Sequence, residues 1–424
     1  MIETRSTGVL VIGAGPAGLA AGIAARASGA ETIIVDDNPS PGGQIWRSDA
    51  AEPEKRPHPL LERVVDRGVD LLTETSIVAA TDSRRLIAEQ RGRRLELAFD
   101  RLVLAVGARE RFIPFPGWTL PNVMGAGGLQ ALVKGGLPIE GKRVVVAGSG
   151  PLLLAVAAHL VGRGAKVEVI AEQAAFADVA RFALGLVGQP TKLWQAIELR
   201  RVLRGVALAF GTWPIRAEGD DRLRAVVLSN GRRERTIECD YVACGFGLVP
   251  NLEIPRLLGC RTEGDRVAVD ELQRTSIEYI LACGEVCGIG GLETSLVEGE
   301  IAGLVAAGEL ERARSLFSRR RRARAFAASL DRAFRLDERL RSLPDPETIV
   351  CRCEDVAHDA IRRSSGILDA KLQTRCGMGP CQARICGPAV EFLFGWSTGT
   401  VRPPILPASI GVLAGDPTME RAGE

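Results

Sequence analysis

Short apolar runs that end in glycine turns recur over the first three quarters of the chain. Residues 8–20 (GVLVIGAGPAGLA) predict a buried strand, a tight turn and the start of a helix. Residues 142–172 (KRVVVAGSGPLLLAVAAHLVGRGAKVEVIAE) repeat this order and add a second strand. Strands that alternate with helices build parallel sheets, so both segments predict Rossmann-like units.

Three further apolar segments indicate how the two units are connected. Residues 102–118 and 241–251 each predict a buried strand whose glycine turn leads out of a domain. Residues 279–303 predict a strand, a turn at Gly284 and Glu285, and then a helix. The pattern predicts an α/β fold in which the second Rossmann-like unit is inserted in the first. The expected divisions are 1–115 with 275–315 for the first dinucleotide-binding domain, 116–274 for the second, 316–344 for a charged helical linker, and 345–424 for a small C-terminal α-helical domain and tail.

The first turn carries a complete G-x-G-x-x-G pattern in Gly13, Gly15 and Gly18. The first glycine permits the tight turn, the second lets the backbone approach a pyrophosphate, and the third permits close packing of helix on strand. The strand ETIIV then delivers Asp36, a carboxylate placed to hold the ribose hydroxyls of adenosine. Together these features predict a bound dinucleotide with its pyrophosphate at the helix N-terminus.

The second turn is incomplete. Gly148 and Gly150 occupy the first two positions, but Leu153 stands at the third, where a side chain keeps the helix farther from the strand. Glu172 ends the second strand and no arginine follows it closely, which disfavours a 2′-phosphate. The residues leave two alternatives open, a weaker nucleotide site and a purely structural module.

Five cysteines lie in the last fifth of the chain, at Cys351, Cys353, Cys376, Cys381 and Cys386. A [2Fe–2S] cluster needs four thiolates, and a C-x-C pair followed by a second pair in glycine-rich sequence supplies them. Zinc is the alternative, but the usual C-x2-4-C spacing is absent from the first pair. Spacing does not choose the second pair. We predict Cys381 and Cys386, with the preceding glycine turn bringing amides to the sulfurs and Cys376 as a reserve ligand.

Composition excludes several classes of function. The 54 Lys and Arg residues nearly balance the 52 Asp and Glu residues, so there is no electrostatic case for nucleic-acid binding. No apolar stretch reaches the roughly 18 residues of a membrane span, and the N-terminus enters a strand pattern without a signal peptide. Ten cysteines without secretory features favour thiols and metal ligation over disulfides. We therefore expect a cytoplasmic protein.

Six longer motifs are spread over nearly the entire chain. They are PGGQIWR (41–47), GARERFIPFPGW (107–118), GSGPLLLAVAAHL (148–160), CGEVCGIGGLETSLVEGEIAG (283–303), CRCEDV (351–356) and GMGPCQARICGP (377–388). With these motifs the chain resembles the α (A) subunits of heteromeric dye-linked amine dehydrogenases, which include opine oxidases, D-hydroxyproline and L-proline dehydrogenases, and hydrogen cyanide synthase. The body of the chain is similar to the two-dinucleotide-domain flavoproteins, and its tail is similar to bacterioferritin-associated ferredoxin.

The resemblance implies FAD in the first site, with NAD or ATP as alternatives in a Rossmann site, FMN at a subunit interface, and a [2Fe–2S] cluster in the tail. It also implies that Glu285 contacts the flavin cofactor, at a position where the superfamily usually has Asp. The predicted cofactor contacts are Gly13, Gly15, Pro16, Ala17, Gly18, Asp36, Asp37, Gly43, Gln44, Ala105, Gly107, Gly284 and Glu285. The predicted metal ligands are Cys351, Cys353, Cys381 and Cys386.

The resemblance further implies one component of a complex and not a complete enzyme. An amino-acid-oxidase-like flavin β subunit would oxidise a secondary amine or imino acid, such as an opine, hydroxyproline, proline or glycine. A small γ subunit is a further partner. This chain would relay electrons to an external dye or quinone acceptor. The residues support a relay, because segment 121–136 lacks the C-x-x-C dithiol of thioredoxin-type reductases and no acid–base set or nucleophile can be nominated as catalytic.

Two other functions stay open on the residues alone. One is a self-contained NADH-dependent flavoprotein reductase whose [2Fe–2S] tail serves an external acceptor. The other is a nucleotide-binding scaffold that supports the β subunit.

Overall fold

The computed structural model describes residues 3–46, 58–186, 190–397, 399 and 401–414. Within these ranges the chain is a mixed α/β protein, as the alternation of apolar strands and helices predicted. The strands in chain order are β1 (Glu3–Ile12), β2 (Thr32–Val35), β3 (Asp70–Leu72), β4 (Thr75–Asp82), β5 (Arg85–Gln90), β6 (Arg93–Leu104), β7 (Ala108–Glu110), β8 (Val123–Gly125), β9 (Arg143–Ser149), β10 (Lys166–Glu172), β11 (Ala207–Phe210), β12 (Trp213–Gly219), β13 (Leu223–Ser229), β14 (Glu234–Glu238), β15 (Tyr241–Phe246), β16 (Leu248–Pro250), β17 (Thr262–Glu263), β18 (Arg266–Val267), β19 (Ile280–Ala282), β20 (Ile349–Cys351) and β21 (Val356–Ala357).

The helices lie mainly on the faces of the two large sheets. In chain order they are α1 (Pro16–Ala27), α2 (Gly43–Trp46), α3 (Pro59–Asp66), α4 (Ala126–Lys134), α5 (Leu152–Gly162), α6 (Phe176–Gly185), α7 (Pro190–Val202), α8 (Glu253–Leu257), α9 (Gly291–Ala306), α10 (Leu310–Ser315), α11 (Phe317–Ala333), α12 (His358–Arg362), α13 (Ile367–Thr374), α14 (Cys386–Phe394) and α15 (Ile410–Ala414). Short 3-10 turns span Gly284–Cys287 and Glu338–Ser342.

The first sheet has the strand order β3-β2-β1-β6-β5-β4, and β19 pairs in parallel with β6. Because β19 follows the second unit in the chain, the chain returns to the first sheet after leaving it. Along β1, Leu10 and Ile12 face one core while Val9 and Val11 face the other. Burial on both faces explains why the strand is a continuous apolar run and does not alternate with polar residues.

Helices α1 and α9 pack closely on one face of this first sheet. A Cβ atom on Gly299 of α9 would lie only 2.1 Å from the carbonyl oxygen of Ala17 in α1. Only glycine fits at that contact. The helix that begins after the Gly284 turn therefore lies directly against the helix that begins at the first glycine turn.

The second sheet has the order β11-β10-β9-β15-β8, with every pair parallel. Val144 and Val146 of β9 face the core under α4 and α5, and Val145 faces the opposite core. That opposite face is covered by the antiparallel sheet β12-β13-β14. The paired strands β7 and β16, which we call the crossing strands, carry the chain into and out of this second unit.

The charged linker is a helix, α11, but one of its faces is buried. Arg320 and Arg324 reach Glu298 of α9 at 3.2 and 2.6 Å, and the Glu298 side chain is 0% exposed. Two guanidinium groups compensate this buried carboxylate, as a buried charge requires. The basic run thus holds the linker on the first unit.

The C-terminal region combines the antiparallel pair β20 and β21 with three short helices, α12 to α14, around a small core. The following residues return to the first sheet. Val412 of α15 packs on Val78 and Ile87, and Arg94 donates to the carbonyl of Val412 at 3.1 Å. In the described ranges no helix has the length and apolar character to cross a bilayer.

Candidate functional site

The first glycine turn lies between β1 and α1, at the carboxyl end of the strand. Asp36 at the end of β2 accepts hydrogen bonds from the amides of Ala14 (2.6 Å) and Asn38 (2.9 Å). A Cβ atom on Gly18 would lie 1.8 Å from the carbonyl oxygen of Gly13, so helix and strand meet only because this position has no side chain. The start of α1 is thereby held at the sheet edge, where its free amides favour a pyrophosphate.

Two other glycine turns close around the first one. The Gly42 amide donates to the Ala14 carbonyl at 2.8 Å, and a Cβ atom on Gly43 would lie 3.1 Å from the Cα of Gly15. On the other side, a Cβ atom on Gly284 would lie 2.7 Å from the Cβ of Ala17. The structure therefore brings three separate predicted segments into one cradle around the start of α1.

The remaining predicted contacts lie beneath this cradle or at its rim. Ala105 is buried below the turn, and its carbonyl would be 2.3 Å from a Cβ atom on Gly13. Gly107 follows at the start of the crossing strands, whereas Asp37 and Gln44 are exposed. Arg47, the last residue of the PGGQIWR motif, lies outside the described residues.

Glu285 provides an independent indication of a ligand at this cradle. Its Oε1 accepts a hydrogen bond from the amide of Gly291 at 2.7 Å, at the start of α9. Its Oε2 is buried and has no hydrogen-bond partner among the described residues. Burial raises the pKa of the Glu285 carboxyl, because desolvation disfavours the charged form. Buried polar atoms normally have partners, so the residues fit a bound molecule that offers a polar group here.

The second glycine turn has a similar backbone, but its polar groups are already bonded. Glu172 at the end of β10 accepts from the amides of Gly150 (2.7 Å) and Ala174 (2.8 Å). Burial raises the pKa of Glu172 to about 7. Leu153 is 1% exposed and fills the space between α5 and the sheet, where a third glycine would have left room.

Residues 334–337, which we call the cover segment, lie over the second turn. Ser149 Oγ donates to the carbonyl of Phe334 at 2.9 Å. Gln173 Nε2 donates to the carbonyl of Arg335 at 3.0 Å, and Gln173 Oε1 accepts from the amide of Asp337 at 3.1 Å. Ser149 in the turn and Gln173, which directly follows Glu172, are therefore hydrogen-bonded to the cover segment.

The five C-terminal cysteines form one group. The sulfur atoms of Cys351, Cys376 and Cys386 lie within 4.8 Å of one another, and all three residues are buried. Cys386 also donates to Cys381, which in turn accepts from Cys353. Cys353 is exposed and Cys381 is half-buried. The structure thus places two of the four predicted ligands, Cys351 and Cys386, in one set of three with the reserve Cys376, while Cys381 contacts Cys386 and Cys353 contacts Cys381.

Contacts within this group shift the thiols in opposite directions. Hydrogen bonds from Cys376 and Cys386 lower the pKa of Cys351 to about 2, and one from Cys386 lowers that of Cys381 to about 5, whereas the pKa values of Cys353, Cys376 and Cys386 are raised. The amide of Gly377 donates to the Cys351 sulfur at 3.4 Å, a contact of the kind predicted for the glycine turn. Thiolate is the form of cysteine that binds metals, so the residues fit an all-cysteine metal centre such as an iron–sulfur cluster.

The crossing strands hold the cysteine group in place. Arg109 in β7 donates through Nε to the carbonyl of Arg384 at 2.9 Å, and it pairs with Glu253 at 3.0 Å. Arg384 lies in the sequence between Cys381 and Cys386. One side of the cysteine group is therefore attached two residues beyond Gly107, at the rim of the first glycine cradle.

The same segment also supports the other side of the group. Trp118 donates its indole N–H to the carbonyl of Ile349, two residues before Cys351. Arg109 and Trp118 both belong to GARERFIPFPGW, so a single motif contacts the chain before the first cysteine pair and between the last two cysteines.

Sequence reasoning did not identify Arg109, Trp118, Ser149 or Gln173 as site residues. For the first two, a signal was present, since both lie in the motif GARERFIPFPGW and carry a side-chain hydrogen-bond donor. Ser149 and Gln173 bond to residues more than 160 positions later in the chain. No local pattern indicates such a contact.

Comparison with known proteins agrees with this arrangement. Residues 7–309 match the family model of pyridine nucleotide-disulphide oxidoreductases. The chain is 31% identical to HcnB, a hydrogen cyanide synthase subunit of Pseudomonas aeruginosa, over 89% of this chain and 90% of that protein. It is 30% identical to the A-type subunit of opine oxidase from Agrobacterium tumefaciens, over 98% of this chain and 92% of that protein.

Solved structures support the same fold. L-proline dehydrogenase from P. horikoshii superposes with a TM-score of 0.68 at 17% identity, covering 97% of this chain and 80% of that one. Thioredoxin reductase of Lactococcus lactis superposes with a TM-score of 0.55 at 19% identity, covering 72% of this chain and 99% of that one. The chain is thus an oxidoreductase that belongs to the pyridine nucleotide-disulphide oxidoreductase family, together with HcnB and the A-type opine oxidase subunits.

Proposed function

We propose that this chain is the electron-transfer (α) subunit of a multi-subunit flavin and iron–sulfur dehydrogenase. An amino-acid-oxidase-like flavin β subunit oxidises a secondary amine or imino acid, of the opine, hydroxyproline, proline or glycine class. This chain then relays the electrons to an external acceptor of the dye or quinone type. Relatives that are named as subunits support a role within a larger complex.

One observation carries the proposal. Arg109, which holds the Arg384 carbonyl between two cysteines, stands two residues from Gly107 at the rim of the first glycine cradle. A rigid connection between a nucleotide cradle and a cysteine group is what an internal relay between two redox centres needs. A scaffold would not need the two sites to be fixed to each other.

The first cradle is the proposed site of FAD, with NAD or ATP as alternatives. Asp36 and the start of α1 would hold the dinucleotide, and the buried Glu285 Oε2 would accept a hydrogen bond from one of its polar groups. When bound, the flavin takes up an electron pair and releases single electrons, and a [2Fe–2S] cluster carries one electron at a time. The chain itself fixes the spacing between them through Arg109 and Trp118.

The proposed cluster ligands are Cys351, Cys353, Cys381 and Cys386. The Gly377 amide stabilises the negative charge of the Cys351 sulfur. Cys353 is exposed, so this ligand would give an electron donor or acceptor access to a bound cluster. FMN at a subunit interface and a small γ subunit complete the proposed assembly.

The alternative of a self-contained NADH-dependent reductase is less well supported. NADH would have to reach the second glycine turn, where Ser149 and Gln173 are bonded to the cover segment. Binding there would first have to break those bonds.

The proposal is tested with the isolated chain and with the chain purified in complex with its flavin β subunit. Opines, prolines and glycine are supplied in turn with a dye acceptor. Turnover only in the complex is expected, together with reduction of iron–sulfur absorbance when the amine is added anaerobically. Substantial turnover by the isolated chain would refute the relay assignment, and an amine-active complex whose α-chain centres stay oxidised would favour the scaffold.

A further inference from the structure

The cysteine group contains one thiol more than a [2Fe–2S] cluster uses. Such a cluster takes four thiolates, two on each iron, and five cysteines lie in contact here. Cys376 is 1% exposed and is as deeply buried as Cys351 and Cys386. A buried fifth thiol this close to the other sulfurs is either a bystander that never binds iron or a substitute ligand. The contacts of Cys376 distinguish these two roles.

Those contacts are unequal. The sulfurs of Cys351, Cys376 and Cys386 lie within 4.8 Å of one another, and all three residues are buried. Cys353 is exposed and Cys381 is half-buried, and Cys381 contacts this buried set only through Cys386. The thiols therefore divide into a buried group of three and a more exposed pair that is joined to it at Cys386.

We propose that Cys376 is an interchangeable ligand for one of the two irons. The buried group of Cys351, Cys376 and Cys386 offers three thiols for two positions, whereas Cys353 and Cys381 supply the other iron without a spare. This inference rests on the proposed [2Fe–2S] site and adds a ligand-exchange property to it.

The exchange step is a ligand substitution without change of oxidation state. The bond between iron and the departing cysteine sulfur breaks, and a bond from iron to the Cys376 sulfur forms. The proton of the Cys376 thiol passes to the departing thiolate. The existing contacts of Cys376 with both neighbours mean that no backbone rearrangement is required to bring it within reach.

The chain around Cys376 is suited to this role. The residue directly follows Arg375, which ends α13 in a left-handed conformation, and precedes Gly377 at a positive φ of 78°. Gly377 also donates its amide to the Cys351 sulfur. Cys376 is thus carried by the same tight turn that supports the cluster.

The test uses alanine variants of the full chain, because alanine offers no hydroxyl oxygen as a replacement ligand. Iron and acid-labile sulfide per chain, the visible spectrum, and the EPR spectrum of the reduced protein are measured. Cys351→Ala and Cys386→Ala should each keep about two irons per chain, with altered EPR signals from the new ligand. Cys353→Ala and Cys381→Ala should lose the cluster.

Two further variants test whether Cys376 is the ligand that replaces a missing cysteine. Cys376→Ala should keep the cluster with an unchanged EPR spectrum, and the double variant Cys351→Ala/Cys376→Ala should lose it. Flavin content in every variant serves as the check on folding. Loss of the cluster in Cys351→Ala and Cys386→Ala, with flavin retained, would overturn the exchange while leaving the [2Fe–2S] site intact. Absence of iron and sulfide from the wild-type protein would overturn the proposed cluster itself.

Discussion

In the first glycine turn Asp36 holds the amide of Ala14, and in the second the longer Glu172 holds the amide one residue further on, at Gly150. Beyond this the turns differ in what lies over them. The first is surrounded by the Gly43 and Gly284 turns and a carboxylate oxygen that has no partner among the described residues. The second is bonded to the cover segment through Ser149 and Gln173.

This difference shows that a glycine motif specifies a turn, while distant segments of the chain decide which polar groups around the turn already have partners. Both turns place a helix N-terminus at the edge of a parallel sheet. In the second unit, the side chains of Ser149 and Gln173 are hydrogen-bonded to the cover segment, which belongs to the linker after the first unit. We therefore propose that the electron path runs from the first cradle and that the second unit acts as a support.

The largest expected difference between the turns is in cofactor content. Gly15→Val places a branched side chain at the pyrophosphate position, so bound flavin should fall by more than about tenfold, or roughly 1.4 kcal/mol of binding free energy. Gly15 has a φ of −76°, which valine adopts without strain, so the fold should be kept. Flavin per chain is measured by absorbance after gel filtration.

Gly150→Val is the matched control for that experiment. Gly150 has a φ of 101°, so the variant should lose stability, by about 1–2 kcal/mol, and keep its flavin. Equal flavin loss in the two variants would show that both turns contribute to one site.

A smaller effect is expected at the connection between cradle and cysteine group. Arg109→Ala removes the bond to the Arg384 carbonyl and the ion pair with Glu253. Electron transfer from flavin to the cluster, followed by rapid mixing, should slow several-fold with both centres still bound. Arg101→Ala, which removes an exposed bond to the Glu278 carbonyl, serves as the control and should leave the rate unchanged. An unaltered rate in Arg109→Ala would show that this contact does not support electron transfer between the first cradle and the cysteine group.

The cover segment can be loosened with the double variant Ser149→Ala/Gln173→Ala. Four hydrogen bonds are lost, three to the cover segment and one between the two side chains, each contributing about 0.5–1.5 kcal/mol, so thermal stability should fall while the second turn becomes more accessible. Titration with NADH should show tighter binding than in the wild type. Ser315→Ala, which removes an exposed bond within the chain, is the control. Unchanged NADH affinity despite lower stability would mean that the cover is not what limits binding.

The smallest effect concerns the pH dependence of stability. The pKa of Glu172 is raised to about 7 in the folded chain, so its neutral form is favoured by folding. Its contribution is present below the unfolded pKa near 4.5 and is lost as the pH rises to about 7. The melting temperature of Glu172→Gln relative to wild type should therefore rise by a few degrees between pH 5 and pH 8. Glu168→Gln, exposed on the same strand, should show no such trend, and a parallel trend in both variants would exclude Glu172 as the source.

Local patterns were sufficient to predict much of this molecule. The two strand, turn and helix units and the return of residues 280–282 to the first sheet follow from apolar runs and glycine spacing. These features depend on neighbours in the sequence, so a reading of short segments captures them. Cysteine spacing indicated a C-terminal cysteine site, but it did not indicate that Cys376 would lie with Cys351 and Cys386.

The remaining features depend on contacts between distant segments. The charged linker was expected from its composition, but the burial of Glu298 between Arg320 and Arg324 was not. The cover segment follows the same helix and has no sequence signature, since it bonds through backbone carbonyls and one amide. Backbone groups are the same at every residue, which is why sequence reasoning left the second site open.

The most direct test of the account is anaerobic mixing of NADH with the flavin-loaded isolated chain, followed by addition of the amine and the flavin β subunit. We expect the visible absorbance of the oxidised flavin to persist with NADH alone and to fall only when partner and amine are present. Rapid bleaching of the flavin by NADH alone would contradict it, because electrons would then enter through the second glycine turn.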